Sequence, residues 1–182
     1  MPDQVKRIVL EACEGKDWDW KTHVESVVRH SKILAKRLDA DEEICEISAW
    51  LHDIVKIRYG KREKHHVRGA EEAAKILQEL GYPEERIEKV RHCILTHSSD
   101  KSYMPGSVEA KIVAASDALS HFDNLLALVY VVYHLRGAPI EEGRDWLIQK
   151  YKSCWDKLDQ VPEAKEIARP KYEAIKLVLR KE

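Results

Sequence analysis

Four side chains of the kinds that bind metal ions lie in three separated segments of the sequence: His23, the adjacent pair His52 and Asp53, and Asp117. Each segment has apolar residues at helical spacing, and each of these side chains lies on or beside the apolar face. A single inward histidine or aspartate is more often satisfied by hydrogen bonds within a core. Three helices that each direct a potential ligand inward favour a shared site instead, and two imidazoles with two carboxylates suit a divalent ion such as Mn, Fe, Co, Ni or Mg.

Asp117 is the most informative of the four residues. Ala110, Val113 and Ala114 precede it at positions i-7, i-4 and i-3, so the helical face that carries Asp117 should be buried. An isolated carboxylate is very costly to bury, so this one must be paired, protonated or bound to a metal. The small alanine side chains also leave room for an ion.

The elements that position these residues are predicted to be helices throughout. Nearly every segment between turn signals has an apolar period near that of an α-helix, and strand-like alternation is almost absent. We predict an all-α bundle of roughly seven to nine helices, with loops at 56–68 and 98–106. The helices are expected near residues 2–14, 20–39, 41–56, 66–80, 83–97, 107–122, 123–136, 139–159 and 163–180.

Composition limits both the architecture and the partners. The chain has 182 residues, of which 44% are hydrophobic, which fits one domain over 1–182 with a motif-bearing core at about 20–123. Residues 124–182 are expected to close the bundle and offer no obvious chemistry of their own. A formal net charge of -1 argues against binding of large nucleic acids. Without a signal peptide, a membrane-length apolar run or a C-x-x-C pair, the sequence predicts a cytoplasmic protein with reduced cysteines and no membrane partner.

The order of the four residues, a histidine, an adjacent His-Asp pair at the end of a helix and a distant aspartate, resembles the H...HD...D signature of the HD superfamily. The segment AWLHDIVK at residues 49–56 resembles the LLHDIGK segment of that family, and HHVRGA at residues 65–70 resembles its HHxxGA segment. The resemblance covers roughly residues 20 to 123 and is carried by several motifs together.

The resemblance implies a helical HD domain in which four residues bind one divalent metal: His23, His52, Asp53 and Asp117. It also implies hydrolysis of a small phosphorylated substrate, a phosphoester or nucleotide, by water that the metal activates, with Asp53 in the catalytic set. Some relatives hold a second metal with further histidines. His66 and His97 each lie on an inward apolar stripe here, which makes them candidates for a second metal or for substrate, although Ser98 stands where dinuclear relatives often have another histidine.

Several cations are candidates for phosphate binding. Lys56 lies four residues after His52, so its ammonium can share the metal's side of the helix and act in catalysis; a solvated lysine at a helix end is the alternative. His121 follows Asp117 by one turn and could contact phosphate or support a ligand. Arg62 and Arg68 are further candidates, within a basic rim made of Arg58, Lys61, Arg62, Lys64 and Arg68.

Two other functions stay open at this point. A noncatalytic HD module that binds a metal or a nucleotide would keep the same ligands without turnover. A redox or dioxygen-binding bundle would need Glu-x-x-His pairs at bundle positions, and the pair formed by Glu63 and His66 falls in a predicted loop. The sequence leaves open the substrate, the native metal, the number of ions and whether the protein is a homo-oligomer.

Overall fold

The computed structural model describes residues 1–16, 20–60, 63–100 and 102–180. All regular structure in these ranges is helical, which confirms the all-α prediction. The α-helices are α1 (Pro2–Cys13), α2 (Trp20–Arg37), α3 (Glu42–Leu51), α4 (Ile54–Tyr59), α5 (His65–Glu79), α6 (Glu84–Thr96), α7 (Val108–Asp123), α8 (Leu125–Tyr130), α9 (Ile140–Lys157) and α10 (Pro162–Leu179). A π-helical turn, Val131–Leu135, continues α8, and a 3-10 turn, Leu158–Gln160, follows α9.

Two hydrophobic clusters form the interior, and α2 and α7 take part in both. Val24 of α2 and Val113 of α7 belong to the cluster built mainly with α1 and α3 to α6. Leu34 of α2 and Ile112 of α7 belong to the cluster built mainly with α8, α9 and α10. Burial of such side chains stabilises the fold by about 25 cal/mol per Å² of apolar surface removed from water. The helices α2 and α7 are therefore held rigidly between the two halves of the interior.

The prediction of one helix over 41–56 is wrong, because the helix is interrupted, and the interruption matters for the site. The helix α3 ends at Leu51, and α4 begins at Ile54. Asp53 leaves the helical conformation, with φ -114° and ψ 15°, whereas His52 stays near it. The apolar period runs straight through this point without a glycine or proline, so the sequence contained no ordinary signal of the break.

The predicted loops are partly confirmed. Residues 98–106 are not helical where they are described, and α7 then begins after Ser107, whose hydroxyl accepts a hydrogen bond from the Ala110 amide at 3.2 Å. The prediction for 56–68 is too long, because α4 continues to Tyr59 and α5 already begins at His65.

In the part of the chain that is described, no single helix is long and apolar enough to cross a membrane. The helix α7 together with Leu125–Leu135 would be long and apolar enough, but the two segments are bent by 79° relative to each other.

Candidate metal centre

Seven side chains from five parts of the fold converge where α2 and α7 pass between the two halves of the interior. The break between α3 and α4 contributes two of them, and the first residue of α5 and the residue after α6 contribute one each. The seven are His23, His52, Asp53, His65, His97, Asp117 and His121.

The four residues of the predicted metal set lie together. The Nε2 atoms of His23 and His52 are 3.2 Å apart. Asp53 Oδ2 lies 3.8 Å from the first and 3.6 Å from the second. Asp117 Oδ1 lies 3.7 Å and 3.9 Å from the same two nitrogens. Ligands about 2.1 Å from one ion are separated by roughly 3 to 4 Å. His23, His52 and Asp53 therefore form a group that could hold one divalent ion, and Asp117 lies within the same range of both histidines.

Hydrogen bonds on the far side of each ring fix which nitrogen of His23 and His52 carries the proton. His52 Nδ1 donates to the carbonyl of Ala49 at 2.8 Å, since a carbonyl can only accept. The Ser120 hydroxyl donates to the Asp117 carbonyl at 2.7 Å, so His23 Nδ1 donates to Ser120 Oγ at 3.0 Å. When both rings are neutral, both Nε2 atoms are therefore unprotonated acceptors that face each other. Two facing lone pairs beside two carboxylates repel one another unless a cation lies between them, so the residues present fit a metal ion.

A second group of potential ligands shares Asp53. Its other oxygen, Oδ1, is buried without a hydrogen-bond partner and lies 3.6 Å from His97 Nε2 and 3.8 Å from His65 Nε2. The two histidine nitrogens are 3.3 Å apart. His97 Nδ1 donates to the Ile94 carbonyl at 2.5 Å, which leaves its Nε2 free to bind an ion. The two ligand groups therefore meet at a single carboxylate.

The structure brings His65 into this second group, not the His66 that the sequence pattern favoured. Neighbouring residues of a helix point about 100° apart, so only one of the pair can face Asp53. His66 is buried on the other side, with Nε2 3.4 Å from Asp100 Oδ2 and its ring against Tyr103. Because His66 points away from the ligand groups, Glu63 and His66 do not form the Glu-x-x-His ligand pair that a dioxygen-binding bundle would need.

Two lysines balance the charge of the carboxylates. Lys56 Nζ lies 2.5 Å from Asp53 Oδ2, and Lys157 Nζ lies 3.1 Å from Asp117 Oδ2. Burial alone would raise the pKa of Asp53, but the charge of Lys56, followed by that of His52, holds this pKa well below its usual value. The pKa of Asp117 is likewise held low against burial, first by Lys157. Both carboxylates are therefore ionised at neutral pH, as metal ligands must be.

Burial keeps His23 neutral and predicts a loss of stability in acid. Its pKa is lowered from 6.5 to about 4, first by burial and then by the charge of His52. Between these two values the unfolded chain binds more protons than the folded one, so stability falls as the pH falls. With a chelator present, we expect His23 to account for a loss of about 2 kcal/mol in unfolding free energy between about pH 7.5 and about pH 5.

Urea unfolding of the wild type and of His23→Gln at the two pH values measures this contribution. The variant should lose about 2 kcal/mol less than the wild type over the same interval, because glutamine does not titrate. Equal losses for the two proteins would contradict a buried, neutral His23.

The predicted phosphate contacts fall into three groups. Lys56 lines the cavity beside the ligands, and His121 does too, with Nε2 3.7 Å from Asp117 Oδ1. Arg68 is exposed and does not line the cavity. Arg62 lies outside the described residues. The basic rim is partly neutralised, since Arg58 forms an ion pair with Glu72 at 2.7 Å.

The cavity above the ligands has a volume of about 210 Å³, and α9 forms one of its walls. The carboxy-terminal part, which showed no obvious chemistry in the sequence, therefore contributes to the site, because α9 places five side chains along the cavity: Trp146, Lys150, Ser153, Cys154 and Lys157. Four of them, Trp146, Lys150, Cys154 and Lys157, follow one another at spacings of four, four and three residues, which marks one helical face. That spacing is visible in the sequence, but polar residues at such positions ordinarily belong to a solvated face, so only the packing reveals its role.

The structure is an all-α bundle whose interior holds imidazoles and carboxylates at separations that suit metal ligands. Residues 20–121 match the HD domain family, and the chain belongs to that family. The four predicted ligands all lie inside the matched range, whereas the cavity wall formed by α9 lies outside it.

Two solved structures share the fold over nearly the whole chain. A predicted HD superfamily hydrolase from an uncultured Thermotogales bacterium is 21% identical, with a TM-score of 0.67 over 97% of this chain and 88% of its own. An HD-superfamily hydrolase from Bacillus thuringiensis is 18% identical, with a TM-score of 0.73 over 98% of this chain and 92% of its own. No curated protein sequence matches this chain significantly.

Proposed function

We propose that the protein is a metal-dependent phosphohydrolase that cleaves a small phosphoester, with nucleotides as the favoured substrate class. The observation that carries this proposal is the pair of facing, unprotonated Nε2 atoms of His23 and His52 beside Asp53 and Asp117. His23, Asp53 and Asp117 line a cavity that also receives lysine side chains. Such an arrangement pairs a site for a divalent cation with cations that attract an anionic substrate.

A divalent ion held by these residues would lower the pKa of water and withdraw charge from phosphoryl oxygens. The chain's own residues supply positioning and charge. Ala49 and Ser120 orient the two imidazoles by accepting their Nδ1 protons, so the ligand atoms need no rearrangement. Lys56 lies beside Asp53 and can bind a phosphoryl oxygen, where a charge-assisted hydrogen bond stabilises negative charge that develops during hydrolysis.

The donor set favours borderline metals. Neutral imidazoles suit Mn, Fe, Co and Ni, whereas Mg prefers an oxygen-rich site. The second group around Asp53 Oδ1 supports a dinuclear form, in which Asp53 would bridge the two ions and His65 and His97 would complete the second. A second ion held there would supply further positive charge to stabilise the oxygens around the phosphorus atom.

Elemental analysis combined with a substrate screen tests the proposal. We expect the purified protein to retain a first-row divalent metal and to hydrolyse at least one member of a panel of phosphomonoesters, phosphodiesters and nucleotides, with activity lost in chelator and restored by Mn, Fe or Co. If the metal-loaded protein turns over nothing in the panel but binds nucleotides, it is a noncatalytic module and the hydrolase proposal is wrong.

A further inference from the structure

The face of α9 that lines the cavity carries charge near the ligands and an aromatic ring further away. Lys157 lies at the ligand end, Lys150 follows two turns earlier, and Trp146 lies one more turn away. At 1.5 Å per residue these intervals are about 10.5 Å and 6 Å along the helix axis. A ligand that extends from the metal-binding residues along this wall therefore contacts the lysines first and the tryptophan last.

Lys150 differs from the other lysines of the cavity in its partners. Lys56 and Lys157 are paired with Asp53 and Asp117, whereas no carboxylate among the described residues forms an ion pair with Lys150. Its ammonium is close enough to the cluster to affect His121. Burial is the largest cause of the low pKa of His121, and the charge of Lys150 is the second. A half-buried cation without a carboxylate partner, directed into a cavity, is suited to an anionic group of a ligand.

Trp146 is held in place at the far end of the same wall. The guanidinium of Arg136, just after the π-helical turn, lies 4.5 Å from the centre of the Trp146 ring system. Leu128 and Val131 line the cavity beside it. An aromatic ring fixed on one side by a guanidinium and flanked by apolar side chains can stack on a planar ring with its other side.

The size of the cavity limits what can occupy it. Its volume of about 210 Å³ is below the range of roughly 300 to 1,000 Å³ that is usual for sites of drug-sized ligands. One phosphate with one ring-bearing group fits this space better than a dinucleotide or a nucleic acid strand does.

We propose that α9 is the substrate-recognition wall of the site: Lys150 binds an anionic oxygen of the phosphate ester, and Trp146, held by Arg136, stacks on a planar ring in its alcohol group. The substrate is then a phosphomonoester of one compact ring-bearing alcohol, as in a nucleoside monophosphate. This inference rests on the proposed function for the identity of the anion, and it assigns recognition to a part of the chain outside the family match.

Equilibrium binding of two phosphonates tests the assignment without relying on turnover. The first probe is the phosphonate analogue of a nucleoside monophosphate, in which carbon replaces the ester oxygen, and the second is methylphosphonate, which lacks a ring. Calorimetry with Mn-loaded protein should show that Lys150→Met weakens both probes roughly tenfold or more, because a charged hydrogen bond is lost. Trp146→Leu should weaken only the ring-bearing probe, by roughly tenfold, and Trp146→Phe should recover most of that loss.

Lys152 provides the matched control, since it is an exposed lysine of the same helix that does not line the cavity. Lys152→Met should bind both probes as the wild type does, and Lys150→Arg should stay within about threefold because it keeps the charge. Metal content, measured on every variant, should be unchanged.

The inference is overturned if Lys150→Met binds both probes normally, if Trp146→Leu weakens both equally, or if the wild type binds neither. Normal binding of the probes without turnover of any phosphoester would contradict the hydrolase proposal alone.

Discussion

Replacing Asp117 with alanine should remove most of the bound metal and lower turnover at least about a hundredfold, while the chain stays folded. Asp117 Oδ1 lies within 3.7 Å and 3.9 Å of the two facing imidazole nitrogens, so its removal takes away one of the two carboxylates of the first ligand group. The loss of its charge also leaves Lys157, which is only 14% exposed, without its partner. Elemental analysis, initial rates and thermal unfolding of the purified variant measure the three effects separately.

Asp123 is the matched control for this experiment, because it is a carboxylate of the same helix that lies outside the ligand groups. It accepts hydrogen bonds from Ser26 and His30, both at 2.7 Å, and is paired with Arg29. Asp123→Ala should therefore lower the unfolding free energy by roughly 1 to 3 kcal/mol and leave the metal content unchanged. Full activity in a folded Asp117→Ala protein, or equal metal loss in both variants, would show that Asp117 is not a ligand.

The main features of the fold and the first ligand group could be predicted because they depend on periodicity. Ala110, Val113 and Ala114 define the buried face of α7, and Asp117 lies on that face whatever the exact tertiary packing. The same argument places His23 inward on α2. Side-chain direction along a regular helix follows from the sequence alone, which covers His23 and Asp117, whereas His52 and Asp53 at the end of α3 were expected from their resemblance to the HD signature.

The parts that could not be predicted lie where helices begin, end or break. The break after Leu51 turns Asp53 so that its two oxygens serve two ligand groups, yet no residue of helix-breaking type marks it. His65 is the first residue of α5, preceded by Lys64 in a left-handed conformation with φ 45°, and a shift of one residue at that start would exchange the roles of His65 and His66. Such boundaries are set by tertiary packing, which local sequence patterns do not encode.

The role of α9 was hidden for a different reason. Its inward face carries lysines, which a sequence pattern ordinarily assigns to solvent. Lys157 faces inward because it pairs with the ionised Asp117, and that carboxylate comes from a helix far away in the sequence. Recognising a polar face as a cavity wall therefore requires knowing which charges it meets.

Adjacent histidines offer a direct test of how many metal ions the site holds. We expect the wild type to bind two equivalents of a first-row divalent metal, His65→Ala to bind one, and His66→Ala to bind two. His65 Nε2 lies 3.8 Å from the unpartnered Asp53 Oδ1 and 3.3 Å from His97 Nε2, so its loss breaks the second ligand group and leaves the first intact. His66 is directed toward Asp100 and contributes to neither group.

The two substitutions are closely matched, since each removes one imidazole at the start of the same helix, and they differ in which way that imidazole points. If both ions take part in hydrolysis, turnover in His65→Ala should fall roughly tenfold to a hundredfold, whereas His66→Ala should stay within a few fold of the wild type. Elemental analysis after dialysis gives the stoichiometry, and initial rates at saturating Mn give the second comparison. One equivalent in the wild type, or the loss of an ion in His66→Ala but not in His65→Ala, would overturn the bridging role of Asp53, because that role requires a second ion on the side of Oδ1.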